Sequence, residues 1–342
     1  MRFGLFVLFE WPGPERPFAA MYDELVEEVQ LAEDLGLEVA WLAEHHFVNY
    51  SVSPSPLMFA IKAAERTRRI RFGTAVLVLP FSHPLRLAGE VAVADMLTNG
   101  RLEIGVGRGA YPYEFARYGI PFAEGRDRTQ EALEVMLKVW QADDVAHEGR
   151  FFSFPPTTVL PKPLQRPHPP IWIAALSQES IGYAIRNGHH LLTTLFRDPI
   201  ERVAERLLAY RETLAAAGKT ASDSQMGVLR IAYVAESDAA AREVVPHVVT
   251  NHRTWHHLHF GTERVAGGIV GTDPVENEPS PEEMFERLII GGPERCIEQV
   301  RALQAVGVEL LLLNMNFGKM THREAMRSLR LFGAEVMPAF NP

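Results

Sequence analysis

Short apolar runs alternate with stretches of helical periodicity along nearly the whole chain, and that alternation leaves few folds open. Strands are expected at about 2–9, over the stretch beginning at Glu38, and at 70–79, 102–106, 171–175, 190–195, 228–235 and 310–313. Helices are expected at about 18–35, 56–67, 126–141, from Ser177 onward, and at 237–260, 293–306 and 321–337. The run Ile70 to Leu79 is apolar and β-branched almost without interruption, as in a strand buried on both faces. Eight such strands separated by helices predict a closed (β/α)8 barrel, a TIM barrel, as one domain over 342 residues. An open doubly wound sheet with a small second domain is the alternative.

Two segments break the alternation. Residues 143–170 are rich in proline and too long for an ordinary connection, which predicts an insertion passing over the barrel. From Gly261 to Pro281 the chain turns to Gly, Pro, Asp and Glu as its commonest residues, with no apolar period, the composition of a mobile lid. The basic cluster Arg66, Arg68, Arg69 and Arg71 reads as a solvated turn at the amino-terminal face, with no assigned function.

Composition narrows the partners. A net charge of -9 argues against nucleic acid or an anionic membrane. The single cysteine, Cys296, excludes an internal disulfide, reads as a core residue and fits a reducing cytoplasm. The apolar N-terminal run is too short to span a bilayer and lacks a cleavage site, so it reads as a first strand.

The stretch Glu38 to Phe47 begins as an apolar strand and stops in Glu44, His45 and His46. A buried strand ending in titratable side chains is the pattern of an active site at the carboxyl edge of a parallel sheet; simple capping by solvated polar residues is the alternative. Gly105-Val106-Gly107-Arg108-Gly109 follows a strand, but its G-x-G-x-G spacing, with no helix expected directly after it, argues against a dinucleotide fingerprint. A loop in close approach to a ligand, with Arg108 as an anion fork, fits better. Arg126 and Arg128 start one helix, and Ser177 and Ser180 start another; helix N-termini with such side chains suit phosphate, or ordinary capping. His252, His256 and His259 share a helical face, but no carboxylate joins them and no metal is assigned.

Taken together, these residues resemble the bacterial luciferase-like monooxygenases, flavin-dependent enzymes on a modified TIM barrel. The resemblance rests on Trp41 to Phe47, Gly73 to Pro80, His83-Pro84 and Gly107 to Tyr111, and spans nearly the whole chain. It implies His45 as the catalytic imidazole and a cis peptide at Ala75-Val76 beneath the flavin ring. It also implies a cofactor site of Ala75, Val76, Arg108, Tyr111, Arg126, Leu176, Ser177 and Ser180. The family's reactive cysteine is Gly107 here, and the glutamate usual before Ser177 is Leu176. The function so implied is oxygenation of a small, apolar organic substrate by reduced FMN and dioxygen, with a separate flavin reductase and a homodimeric assembly. A deazaflavin-dependent oxidoreductase and a non-catalytic flavin-binding protein are the alternatives. Phe6, Phe9, Trp11, Tyr111 and Phe196 are expected to line the substrate pocket, and Glu44 to orient a histidine.

Overall fold

The computed structural model describes residues 1–340. Eight strands form the barrel: β1 (Arg2–Val7), β2 (Val39–Leu42), β3 (Arg71–Thr74), β4 (Leu102–Gly107), β5 (Ile171–Ala174), β6 (His190–Thr194), β7 (Met226–Val234) and β8 (Leu310–Asn314). Each pairs in parallel with the next. β8 then returns to β1, with Phe3 opposite Leu311 and Gly4 opposite Leu312, so the sheet closes and the open-sheet alternative is excluded.

Period two divides each strand between two apolar environments. Phe6, Val39, Trp41, Trp172, Leu192, Leu229, Leu310 and Leu312 fill the interior. Leu5, Leu42, Phe72, Ile104, Ile173, Leu191, Val228 and Leu311 face the helices. Trp41 is fully buried and meets Trp172 edge-on at 5.0 Å. Burying such an indole removes roughly 200 Å² from water, worth at most about 5 kcal/mol. Gly73 makes room for it: a Cβ there would lie 2.2 Å from the Trp41 ring.

The outer layer comprises α1 (Phe18–Leu35), α2 (Pro56–Ala64), α3 (Pro84–Leu97), α4 (Pro112–Tyr118), α5 (Gly125–Gln141), α6 (Gln178–Arg186), α7 (Ile200–Ala216), α8 (Val245–Phe260), α9 (Pro293–Ala305) and α10 (His322–Leu331). α1 stops where Gly36 takes φ 89° and turns its N–H back to Ala32. Cys296 is buried in α9, and burial pushes its thiol up to about 12. Among the described residues no helix is long and apolar enough to cross a membrane.

Several local expectations are corrected. The run 70–79 is not one strand: β3 ends at Thr74, the Ala75–Val76 bond is cis, and Leu77–Val78 resumes pairing with β4. Residues 143–170 contain a hairpin, Val145–Glu148 with Ser153–Thr157, where Glu131 of α5 accepts the N–H groups of Phe151 and Phe152. The segment 261–281 also carries a hairpin, Val265–Ala266 with Ile269–Val270. It is tied to Asn49, which donates its N–H to Gly268 and accepts that of Val270 through Oδ1. A short helix does open soon after the glycine run, at Pro112. The basic cluster is only partly solvated. Burial pushes the Glu33 carboxyl up, but the N–H groups of Ile70, Arg69 and Arg68 outweigh it and hold the group below its ordinary value. Arg71 turns into the barrel mouth and meets Glu103 at 2.6 Å.

Candidate active site at the carboxyl mouth of the barrel

β2 delivers Glu44, His45 and His46 to the carboxyl mouth, where the alternating strand direction and the following turn part the two imidazoles. His46 is buried, with Nε2 3.0 Å from Glu44 and Nδ1 3.0 Å from the Tyr118 hydroxyl. Both of its nitrogens are occupied within the protein. Glu44 also accepts the N–H of Val78 at 3.2 Å, and burial raises its carboxyl above the ordinary value.

His45 is held by a residue the motif does not contain. Its Nδ1 lies 3.1 Å from Glu114 Oε1, on α4, and the same oxygen accepts the backbone N–H of His46 at 2.8 Å. Glu114 Oε1 accepts the His46 N–H and so faces Nδ1 as an acceptor, which places a proton on Nδ1 and leaves Nε2 without a hydrogen-bond partner within the protein. Glu114 is 1% exposed, and its Oε2 has no partner. Thus Glu44 orients a histidine, as the motif suggested, but it orients His46. The signal for Glu114 lay in the sequence only as a glutamate after a strand–glycine loop, with no marker of its target.

The His45 ring packs on Tyr111 at 4.8 Å and against Tyr50 at 5.3 Å. Burial pushes the Tyr50 hydroxyl up to about 12 and the Tyr111 hydroxyl well above its usual range, so both remain protonated. Phe6 and Phe196 meet edge-on at 5.7 Å at the same mouth. Phe9 and Trp11 do not join them. Phe9 packs on Phe59 behind the barrel wall at 4.8 Å, and Trp11 stacks on Phe18 at 4.6 Å. An even-numbered spacing from Phe6 would have been needed to bring Phe9 to the interior.

Across the mouth, the partly accessible Ala75 and Val76 lie over Gly107. A Cβ on Gly107 would come 2.7 Å from Val76 and 3.3 Å from Ala174, so glycine leaves a shallow apolar cradle. Arg108 at its rim is exposed and stacks over Phe122 at 5.2 Å; among the described residues it forms no ion pair. Gly125 packs close to the Arg108 carbonyl, which brings the start of α5 alongside. Arg126 then reaches Glu179 at 2.5 Å and joins the starts of α5 and α6. At α6, Ser177 and Ser180 cap each other: Ser180 donates its N–H to Ser177 Oγ, and Ser177 donates to Ser180 Oγ at 3.0 Å. Leu176 is exposed, and its carbonyl accepts from Arg206, a cation not foreseen at this rim. Arg128 is elsewhere, paired with Glu124 at 2.8 Å.

An apolar cradle with a free guanidinium at its rim fits a planar, phosphate-bearing ring system; Arg108, Arg126 and the Ser177–Ser180 turn would hold the phosphate. The three histidines of α8 pack instead among aromatic rings: Trp255 stacks on His259 at 5.1 Å, and His256 meets Phe260 at 4.5 Å. Burial, chiefly, pushes His252 down to about 4.

A family model described as luciferase-like monooxygenase matches residues 1–310. The chain is 32% identical to the flavin-dependent trigonelline monooxygenase, oxygenase component, of Acinetobacter baylyi, an alignment covering 100% of this chain and 96% of that one. The crystal structure of monooxygenase RslO1 from Streptomyces bottropensis superimposes with a TM-score of 0.87 at 30% identity, covering 100% of both chains. An F420-dependent glucose-6-phosphate dehydrogenase of Microbacterium testaceum is 28% identical over 99% of this chain and 97% of that protein.

Proposed function

The chain belongs to the luciferase-like monooxygenase family, and from that premise we propose that it is the oxygenase of a two-component system, using reduced FMN and dioxygen to oxygenate a small organic substrate. The observation that carries the reading is the pairing of His45 with buried Glu114 at 3.1 Å, which leaves Nε2 without a partner at the mouth that also holds the apolar cradle and the unpaired Arg108. A flavin-binding protein without catalysis has no need of an imidazole oriented by a buried carboxylate.

When bound, reduced flavin supplies the electrons that activate dioxygen. The residues of this chain do the rest. Ala75, Val76 and Gly107 would support the ring, and Arg108, Arg126, Ser177 and Ser180 the phosphate. His45 Nε2 would hold or move one proton at the reacting edge, with Glu114 keeping the ring oriented and stabilising the imidazolium when it forms. Tyr111 and Tyr50 wall the imidazole with groups that stay neutral. The hairpin of 261–281, tied to Asn49, would act as a cover that keeps water out. The oxygenase-component relative supports a separate reductase, as does the lack of a dinucleotide fingerprint. A cytoplasmic, homodimeric enzyme is consistent with this reading.

The F420-dependent relative gives the deazaflavin alternative a specific footing. Oxygen uptake separates the two. Purified protein supplied with reduced FMN should consume dioxygen in a substrate-dependent way and oxidise NADH negligibly without a reductase. Turnover with reduced F420 but not with reduced FMN would select the alternative.

A further inference from the structure

Arg197, in the loop after β6, is half-buried under α8 on the His45 side of the mouth. Its one side-chain hydrogen bond runs from Nη2 to Asn251 Oδ1. Nε is buried with no partner, and Nη1 has none. The walls around it are aromatic: the guanidinium lies 5.6 Å from the Phe196 ring and 5.7 Å from Trp255. Beyond Phe196 stands Phe6, and the Tyr50–Tyr111–His45 cluster adjoins, with rings 5.8 and 4.8 Å apart.

A buried guanidinium normally faces a carboxylate, because an uncompensated interior charge is costly. The acid nearest in role is Glu10, but its Oε2 is already engaged by the Asn251 amide at 2.9 Å and the Gly318 N–H at 2.7 Å. Burial pushes Glu10 up to about 8, offset only in part by those bonds and by the charge of Arg197. Asp198 forms no ion pair with Arg197, while Tyr50, Tyr111 and His252 stay uncharged. No carboxylate hydrogen-bonds to Arg197, although Glu10 and Asp198 act on its charge from farther off, and its Nε and Nη1 are left without partners in an aromatic chamber adjoining the His45 cluster.

Arg197 and Arg108 address different stretches of α8, joined through the stacked Trp255–His259 pair. Arg197 meets α8 at Asn251 and Trp255, whereas the charge of Arg108 is felt at His259. Eight residues from Asn251 to His259 span about 12 Å of helix.

We infer that the substrate carries a carboxylate on an aromatic or apolar frame, and that Arg197 anchors it through Nε and Nη1 while the frame lies against Phe196, Trp255 and Tyr111. This rests on the monooxygenase reading, in that it takes the chamber beside His45 to be the substrate's.

The test uses neutral isosteres. Benzoate and 2-naphthoate are compared with benzamide and 2-naphthamide by calorimetric titration of the FMN-loaded protein. Each acid should bind about tenfold or more tightly than its amide, as a charge-assisted contact allows. Arg197→Met should abolish that preference and Arg197→Lys retain part of it, since ammonium keeps the charge but loses the planar fork. FMN binding, followed by quenching of flavin fluorescence, should be unchanged in both variants, which also shows that they fold; Arg197→Gln replaces the Met variant if it does not. Equal binding of acid and amide, a preference that survives Arg197→Met, or no binding of either acid overturns the inference. So does a loss of FMN affinity without a matching loss for riboflavin, which would make Arg197 a cofactor-phosphate ligand. If wild-type protein fails to bind FMN, the flavin reading falls, and the acid–amide comparison on the free protein still decides this one.

Discussion

At the amino-terminal mouth of the barrel, Arg71 meets Glu103 at 2.6 Å and donates to the carbonyls of Gly100 and Leu102 at 3.2 Å. Glu103 also accepts the Trp172 indole N–H at 2.6 Å, and Arg2 is shared between Glu38 and Gln225. A cleft of about 210 Å³ remains there, yet its charged walls are paired with one another. At the carboxyl mouth the polar groups are as deeply placed, but several lack partners: Arg197 Nε, Glu114 Oε2 and both amide atoms of Asn314. The interior strands are common to both ends, so the difference arises in the connections. At the amino end neighbouring side chains satisfy each other, with Gln165 of the 143–170 insertion accepting from Arg71, whereas the carboxyl loops hold groups apart for a ligand. The charged groups of the amino mouth are thus paired, while several of those at the carboxyl mouth are not; Trp41 Nε1, in the wall of the amino-end cleft, is a neutral group that also lacks a partner.

If that contrast is real, variants at the two mouths should fail in different ways. The largest effect should come from His45→Ala, with turnover down ~100-fold or more and little change in melting temperature. Turnover equal to wild type would remove His45 from the chemistry. Arg108→Ala should weaken FMN roughly tenfold or more while affecting riboflavin much less, as loss of a charge-assisted phosphate contact requires. Equal losses for the two flavins would assign Arg108 a structural role.

The opposite mouth should behave in the opposite sense. Glu103→Ala leaves the Trp172 N–H and Arg71 without their acceptor, so it should lower unfolding free energy by about 1–3 kcal/mol with turnover per folded molecule unchanged. A fall in turnover without a fall in stability would erase the division.

The last contrast, Glu10→Gln, shows itself in the pH dependence of stability. Because the folded-state carboxyl is raised to about 8, the folded protein holds its proton more tightly than the unfolded chain, whose glutamate has an ordinary value of 4.5. Stability from this group is full below about 4.5 and declines as pH rises through 8. The glutamine variant should therefore match wild type near pH 5 and be the more stable near pH 9, read from urea unfolding at both values. Parallel pH–stability curves would show that Glu10 ionises normally.

Much of this was legible in the residues. Period-two runs such as Phe3-Leu5-Val7 and Leu311-Leu313 are dictated locally, because a strand buried on both faces must be apolar at every position. The arrest of β2 in Glu44, His45 and His46 was equally plain. Less legible was the hairpin of 261–281, where Gly267 and Gly268 take positive φ at the turn. Helix α3 also passed without its own signal, since Pro84–Leu97 is apolar enough to resemble the strand before it.

What the sequence by itself determined was the alternation, hence the barrel, and the short-range constellation on which the family resemblance rests. Both depend on residues within one or two turns or strands of each other. Which glutamate holds which histidine, and which arginine is left unpaired, belong to contacts between residues 69 and 54 positions apart, His45 with Glu114 and Arg197 with Asn251. Those pairings exist only once the barrel closes, because closure places the ends of β2, β4, β6 and α8 around one mouth. Until then no local property distinguishes Glu114 from any other glutamate, or Arg197 from any other arginine. The fold is written in periodicity; the ionic partners of the site are decided by three-dimensional distance and by the removal of water.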